Sequence, residues 1–174
     1  MKKIGMILAI AVSLYGADND LYDNSVSLTM GYASTSTTLA TYSGANYGLQ
    51  INRNLNTSEG VWNIDALQFS LTYANLDTTA RDYALRLGSN ALWYVENNSD
   101  WTPYVKGGVG VQFFSGTEKI DVGNHFYGTL GAGMEYLLRG DTSLFAEVTD
   151  HLSASGENTV RLLAGIQYSF GQSY

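Results

Sequence analysis

Cysteine is absent from the 174 residues and proline occurs once. Without cysteine there is neither a disulfide staple nor an acylated anchor, which excludes a disulfide-bonded secreted domain and a lipoprotein. Charge is sparse as well, at 14% of residues, and the balance of 16 acidic to 9 basic side chains excludes nucleic acid as an expected partner. No apolar run is long enough to cross a bilayer as a helix, since the longest, Ile4 to Leu14, has 11 residues. That run follows Lys2 and Lys3 and precedes the small residues Gly16 and Ala17. The order of basic, apolar and small segments reads as an export signal over residues 1–16, with cleavage near Gly16 or Ala17. Removing the two lysines leaves 7 basic against 16 acidic groups, a net charge of about −9 on residues 17–174.

What the chain does have is glycine, at 19 positions, and apolar residues that recur at every second position. In Thr159 to Phe170 (TVRLLAGIQYSF), Val160, Leu162, Ala164, Ile166, Tyr168 and Phe170 share one face of an extended strand. Thr159, Arg161, Gly165, Gln167 and Ser169 share the other. Seven further runs alternate in the same way, among them Val26-Leu28-Met30-Tyr32, Leu67-Phe69-Leu71-Tyr73 and Phe126 to Leu138. The second set in each run is polar: Ser27 and Thr29, Gln50 and Asn52, Gln68 and Thr72, Arg86 and Asn90, Tyr104 and Lys106, Thr129, Glu135, Glu147 and Arg161. A soluble β-sandwich would turn its apolar face inward. Here the polar face is the one to be enclosed, so the pattern predicts one all-β domain over 17–174: a transmembrane antiparallel up-and-down β-barrel of about eight strands, apolar outside and polar within. Aromatic residues near the run ends, including Tyr32, Tyr47, Tyr73, Trp93, Tyr136 and Tyr168, fit interfacial girdles.

The segments TPYVKGGVGVQF (Thr102 to Phe113), GTLGAGMEYLL (Gly128 to Leu138), SLFAEV (Ser143 to Val148) and AGIQYSF (Ala164 to Phe170) resemble the small eight-stranded outer-membrane barrels of the OmpA/OmpX type, the porin-family β-barrel domains. The resemblance implies a Gram-negative outer-membrane protein exported through the periplasm, set in lipid and lipopolysaccharide and inserted by the barrel-assembly machinery. It further implies an assembly signal at Tyr168 and Phe170, although Gly171 to Tyr174 follow where the family's signal ends on the aromatic. A monomer that supports the envelope is the expected role.

An eight-stranded barrel has an interior that side chains fill. Charges there must be paired, so Arg86, Lys106 and Arg161 are expected to form one lumen network with Glu135 and Glu147. A catalytic candidate is His151 with Ser153 and Glu147, which share the inward face if the strand extends that far. His-x-Ser resembles an element of the lipid A 3-O-deacylases, themselves eight-stranded barrels, with Ala154 where that pattern has Asn. The turn-forming residues around His151 point instead to a solvated outer loop over 150–157, so no catalytic residue is assigned. An adhesin, contacting a ligand through outer loops 33–46 and 115–124, is the other alternative, and 33–46 is expected to be the longest outer loop. No metal site and no cofactor is expected. His125 beside Asp121 lacks a ligand set, and Asp18, Asp20 and Asp23 lack the glycine and terminal glutamate of a calcium loop.

Overall fold

Alternation of apolar and polar residues over whole strands leaves the chain a single way to bury its polar side chains in lipid, which is to close the ladder on itself. The computed structural model describes residues 24–36, 41–55, 64–76, 83–95, 99–115, 125–139, 141–154 and 156–171. The expected export signal over 1–16 and the aspartates at 18, 20 and 23 lie outside them, as does most of the segment from Asn54 to Asp65. Eight strands follow in chain order: β1 (Asn24–Ser36), β2 (Thr41–Asn54), β3 (Ala66–Asn75), β4 (Tyr83–Tyr94), β5 (Trp101–Ser115), β6 (His125–Arg139), β7 (Thr142–Ser153) and β8 (Asn158–Phe170). Each pairs antiparallel with its neighbour, and β1 pairs with β8 from Asn24↔Phe170 to Ser36↔Asn158, which closes the barrel.

Following paired residues once around from Ala66 through Lys106, Thr149 and Gly44 returns to β3 beside Leu76, ten residues further along. Eight strands with that stagger tilt by about 40° from the barrel axis. At about 3.3 Å per residue, the outward set from Val160 to Phe170 then spans about 25 Å along the axis, the height of a hydrocarbon layer.

The exterior is what lipid requires. Phe126 is 71% exposed, Val109 67% and Leu28 63%, an arrangement that water would penalise at about 25 cal/mol per Å² of apolar surface. Aromatic rings mark both edges of this belt. Tyr32, Tyr47, Tyr73 and Tyr83 stand toward the end carrying connections 37–40 and 77–82, with Tyr73 and Tyr83 5.5 Å apart. Trp101 and Tyr136 (4.6 Å) and Tyr168 and Phe170 (6.4 Å) stand at the end carrying the short connection from β6 to β7. β1 begins and β8 ends at the second rim, so in the outer-membrane barrel expected from the sequence that rim is the periplasmic one and the first the outer one.

Two strand boundaries differ from those expected. The segment 33–46 is mostly strand: β1 continues to Ser36 and β2 begins at Thr41, paired Ser36↔Thr41, so the first outer connection is 37–40 and not the longest. Likewise β7 runs to Ser153, which replaces the loop expected over 150–157 with a connection of 154–157. Both errors have one cause: a strand that leaves the hydrocarbon layer has polar residues on both faces, and its composition is then that of a loop.

The inner face is not uniformly polar. Ala33, Ala74, Leu76, Ala84 and Phe114 form a buried apolar cluster toward the outer rim. Ala66, Leu92 and Tyr104, with Tyr94 packed against them, form another toward the periplasmic rim. The Lys106–Glu147 pair described below lies between these two clusters.

Candidate functional site in the barrel lumen

Strand parity sends Tyr104 and Lys106 of β5, Glu147 of β7, Gln50 of β2 and Gln68 of β3 to the same inner level. Lys106 Nζ lies 2.8 Å and 2.7 Å from the two Glu147 carboxylate oxygens and donates to Gln68 Oε1 at 3.1 Å. All three ammonium protons are thereby used. Glu147 also accepts from Gln50 Nε2 (3.2 Å) and from the Tyr104 hydroxyl (3.0 Å). Gln68 Nε2 donates to Gln50 Oε1, and Asn90 Nδ2 to Gln68 Oε1, each at 3.2 Å. The pair is almost wholly enclosed, at 1% and 0% side-chain exposure. A buried ion pair persists only with such complete hydrogen bonding.

The other three charged residues stand in separate layers. Toward the outer rim, Arg161 donates from Nε to Thr149 Oγ1 (3.0 Å) and from Nη1 to Thr72 Oγ1 (3.2 Å). Arg86 donates to Gln112 Oε1 (3.1 Å), Thr159 Oγ1 (3.3 Å) and Thr35 Oγ1 (3.4 Å), and Gln112 reaches Glu157 at 3.4 Å. Toward the periplasm, Glu135 accepts from Ser143 Oγ and from Gln167 Nε2 (2.9 Å), while Gln167 Oε1 accepts from Asn52 (2.8 Å) and Ser27 (3.1 Å). Among the described residues the structure joins Lys106 with Glu147, sets Arg161 and Glu135 among amides and hydroxyls, and brings Arg86 to Gln112, Thr159 and Thr35, where the sequence led us to expect one five-membered charge network. Ionised side chains on different strands stand at different levels along the tilted rows, and neutral partners occupy the intervening positions.

His151 is buried, not solvated. Its ring stacks on Tyr127 with centroids 4.3 Å apart and planes at 10°, and neither ring nitrogen has a hydrogen-bond partner among the described residues. Ser153 Oγ donates to the Phe126 carbonyl at 3.3 Å, and Glu147 is held by Lys106. His151, Ser153 and Glu147 share a face of β7 but make no nucleophile–base–acid relay. His125 opens β6 opposite Gln112. No cluster of three or more metal-ligating side chains occurs among the described residues.

Ring-over-glycine contacts account for Gly110 of β5, Gly133 of β6 and Gly165 of β8. Register sets Tyr104 opposite Gly133, Tyr127 opposite Gly110 and Phe145 opposite Gly165. A Cβ on those glycines would meet the facing ring at 2.3, 2.3 and 2.6 Å. Each aromatic thus lies across its neighbour strand and fills the lumen where a side chain is missing. Period 2 alone identifies these rings as inward; that they cover glycines follows from register, which the sequence does not supply.

No protein-family model and no curated protein matches this chain. Solved structures do. Neisserial surface protein A superposes at a TM-score of 0.71 with 15% identity, over 88% of this chain and all of that one. Ail of Yersinia pestis, in complex with the heparin analogue sucrose octasulfate, gives 0.56 and 15% over 85% and 99%. The outer membrane enzyme PagL gives 0.52 and 15% over 84% and 99%. At such identities the likeness is one of fold, and the fold is that of the eight-stranded outer-membrane barrels, which the apolar exterior and paired aromatic girdles match.

Proposed function

We propose, from the premise of an eight-stranded outer-membrane barrel, that this chain serves the envelope structurally, as a closed post whose lumen is sealed by its own side chains. One observation carries this: the saturated Lys106–Glu147 pair lies between two apolar caps, and Gln50, Gln68 and Tyr104 use the hydrogen-bonding capacity around it. A cavity on the periplasmic side, between Tyr94, Glu135 and Gln167, measures about 10 Å³ and admits at most one water. Residues 1–16 would direct export. Tyr168 and Phe170, stacked at the periplasmic end of β8, would be read by the assembly machinery, and the folded monomer would then sit among outer-membrane lipid and lipopolysaccharide.

Deleting the gene in the encoding organism is expected to raise sensitivity to detergent and entry of hydrophobic dyes. A copy trimmed at 37–40, 77–82 and 116–124 should restore the barrier as well as the intact chain does. A barrier restored only by intact loops would move the role to surface binding, as in an adhesin. Lipid A mass spectra are expected to be the same with wild type and with His151→Ala. Loss of an acyl chain with wild type alone would make the protein a lipid A deacylase, against the unassembled His151, Ser153 and Glu147.

A further inference from the structure

Glu135, on the periplasmic side of the Lys106–Glu147 pair, is an ionisable side chain without a counter-charge. Both bonds that reach it, from Ser143 Oγ and from Gln167 Nε2, fall on one oxygen, Oε1. Their donors are neutral, and among the described residues no ammonium or guanidinium pairs with this carboxylate. Lys106 has no proton left for it, since all three are committed to Glu147 and Gln68. A half-buried carboxylate left unmatched is costly in a lumen shut off from bulk water.

A second oxygen without a donor stands on the opposite wall. Asn52 of β2 gives its two amide protons to Ser25 Oγ (3.1 Å) and Gln167 Oε1 (2.8 Å), while its own Oδ1 is buried and has no partner among the described residues. Gln167 ties the two walls together, because its Nε2 reaches Glu135 at 2.9 Å and its Oε1 takes the Asn52 proton. Beside this bridge lies the cavity of about 10 Å³, lined by Asn52, Glu135, Gln167 and Tyr94 among others, and by no lysine or arginine. Its volume admits one water, and a bare sodium or potassium ion is no larger. A water there would donate to both oxygens but leave the charge of Glu135 unmatched. A divalent ion fits badly, because calcium takes about six to eight oxygens and magnesium retains several waters. One carboxylate, one neutral oxygen and room for a single particle select one positive charge stripped of its water.

We propose that this cavity binds one dehydrated alkali-metal cation, held between the Glu135 carboxylate and Asn52 Oδ1. The site needs only the folded barrel and is independent of the envelope role proposed above. The test refolds the full chain into phosphatidylcholine vesicles and measures urea midpoints in sodium, potassium or choline chloride at one ionic strength. Choline carries the same charge but is far too large for the cavity. Wild type is expected to have a higher midpoint in sodium or potassium chloride, by a shift that grows with the logarithm of the alkali concentration. Glu135→Gln, which keeps the shape and removes the charge, should abolish the difference between salts, and Asn52→Leu should reduce it. Equal midpoints for wild type in all three salts would mean that water alone fills the cavity, and would overturn the site. A salt difference that survives Glu135→Gln overturns it as well, since the ion would then act elsewhere. Should either variant lack heat-dependent gel mobility, wild-type crystals grown with thallium(I), a heavy stand-in for potassium, decide the matter. An anomalous peak between Glu135 and Asn52 is expected, and a cavity without one overturns the site.

Discussion

At the residue scale the lumen depends most on Lys106 and Glu147. Each was legible in the sequence as inward, because it interrupts a run whose alternate residues are apolar. Their partnership was legible only as one possibility among several, since Arg86 and Arg161 had the same sign and parity as Lys106. Register decides it by bringing β5 and β7 side chains to one level. Glu147→Gln leaves a buried ammonium without its counter-charge and should cost about 3–5 kcal/mol in urea-refolding midpoints measured in vesicles. Adding Lys106→Met to that variant removes the stranded charge while the introduced amide keeps an oxygen for Tyr104 and Gln50, so most of the stability should return. A double variant no more stable than the single would show that the pair is not the central contact. His151 was misread for a definite reason: turn-forming neighbours implied a loop, whereas β7 carries the imidazole two residues deeper than its end, against Tyr127.

Among the elements, β5 and β6 owe their close approach to aromatic rings laid over glycine. Gly133→Ala puts a methyl group into the Tyr104 ring, and Tyr104 can yield only by leaving Glu147. A loss of about 1–3 kcal/mol is expected, the usual cost of overpacking, measured on the same refolding curves. Strand number and the identity of each outward face were readable, because the hydrocarbon layer enforces strict period 2. Strand ends were not: above the girdle the outward residues Ser34 and Ser36 of β1 are polar as well, and the Ser/Thr-rich stretch there pairs as a ladder with Ala33↔Gly44 and Thr35↔Tyr42. A short epitope inserted within 37–40 should leave heat-dependent gel mobility intact. The same epitope after Gly44 should abolish it, because it would shift the β1–β2 register and turn every following side chain to the wrong face.

The whole molecule is governed by its closure. Eight strands with a shear of ten enclose an interior filled by side chains: an apolar cluster beside the Arg86 contacts toward the outer rim, the Arg161 contacts and the Lys106–Glu147 pair below it, and toward the periplasm a second apolar cluster beside the Glu135–Gln167 contacts. The caps were not anticipated, because alanine and leucine on an inward face look like breaks in the polar pattern when a single strand is read by itself. Only when Ala33, Ala74 and Ala84 from three strands meet Leu76 and Phe114 does the interruption become a seal. Ions crossing the barrel would have to displace both caps and strip the central pair of its partners. The most direct test of that account is the conductance of the refolded wild-type protein in a planar bilayer. The account predicts a silent membrane at protein densities for which gel mobility confirms folding, and discrete, reproducible conductance steps from the wild type would contradict it.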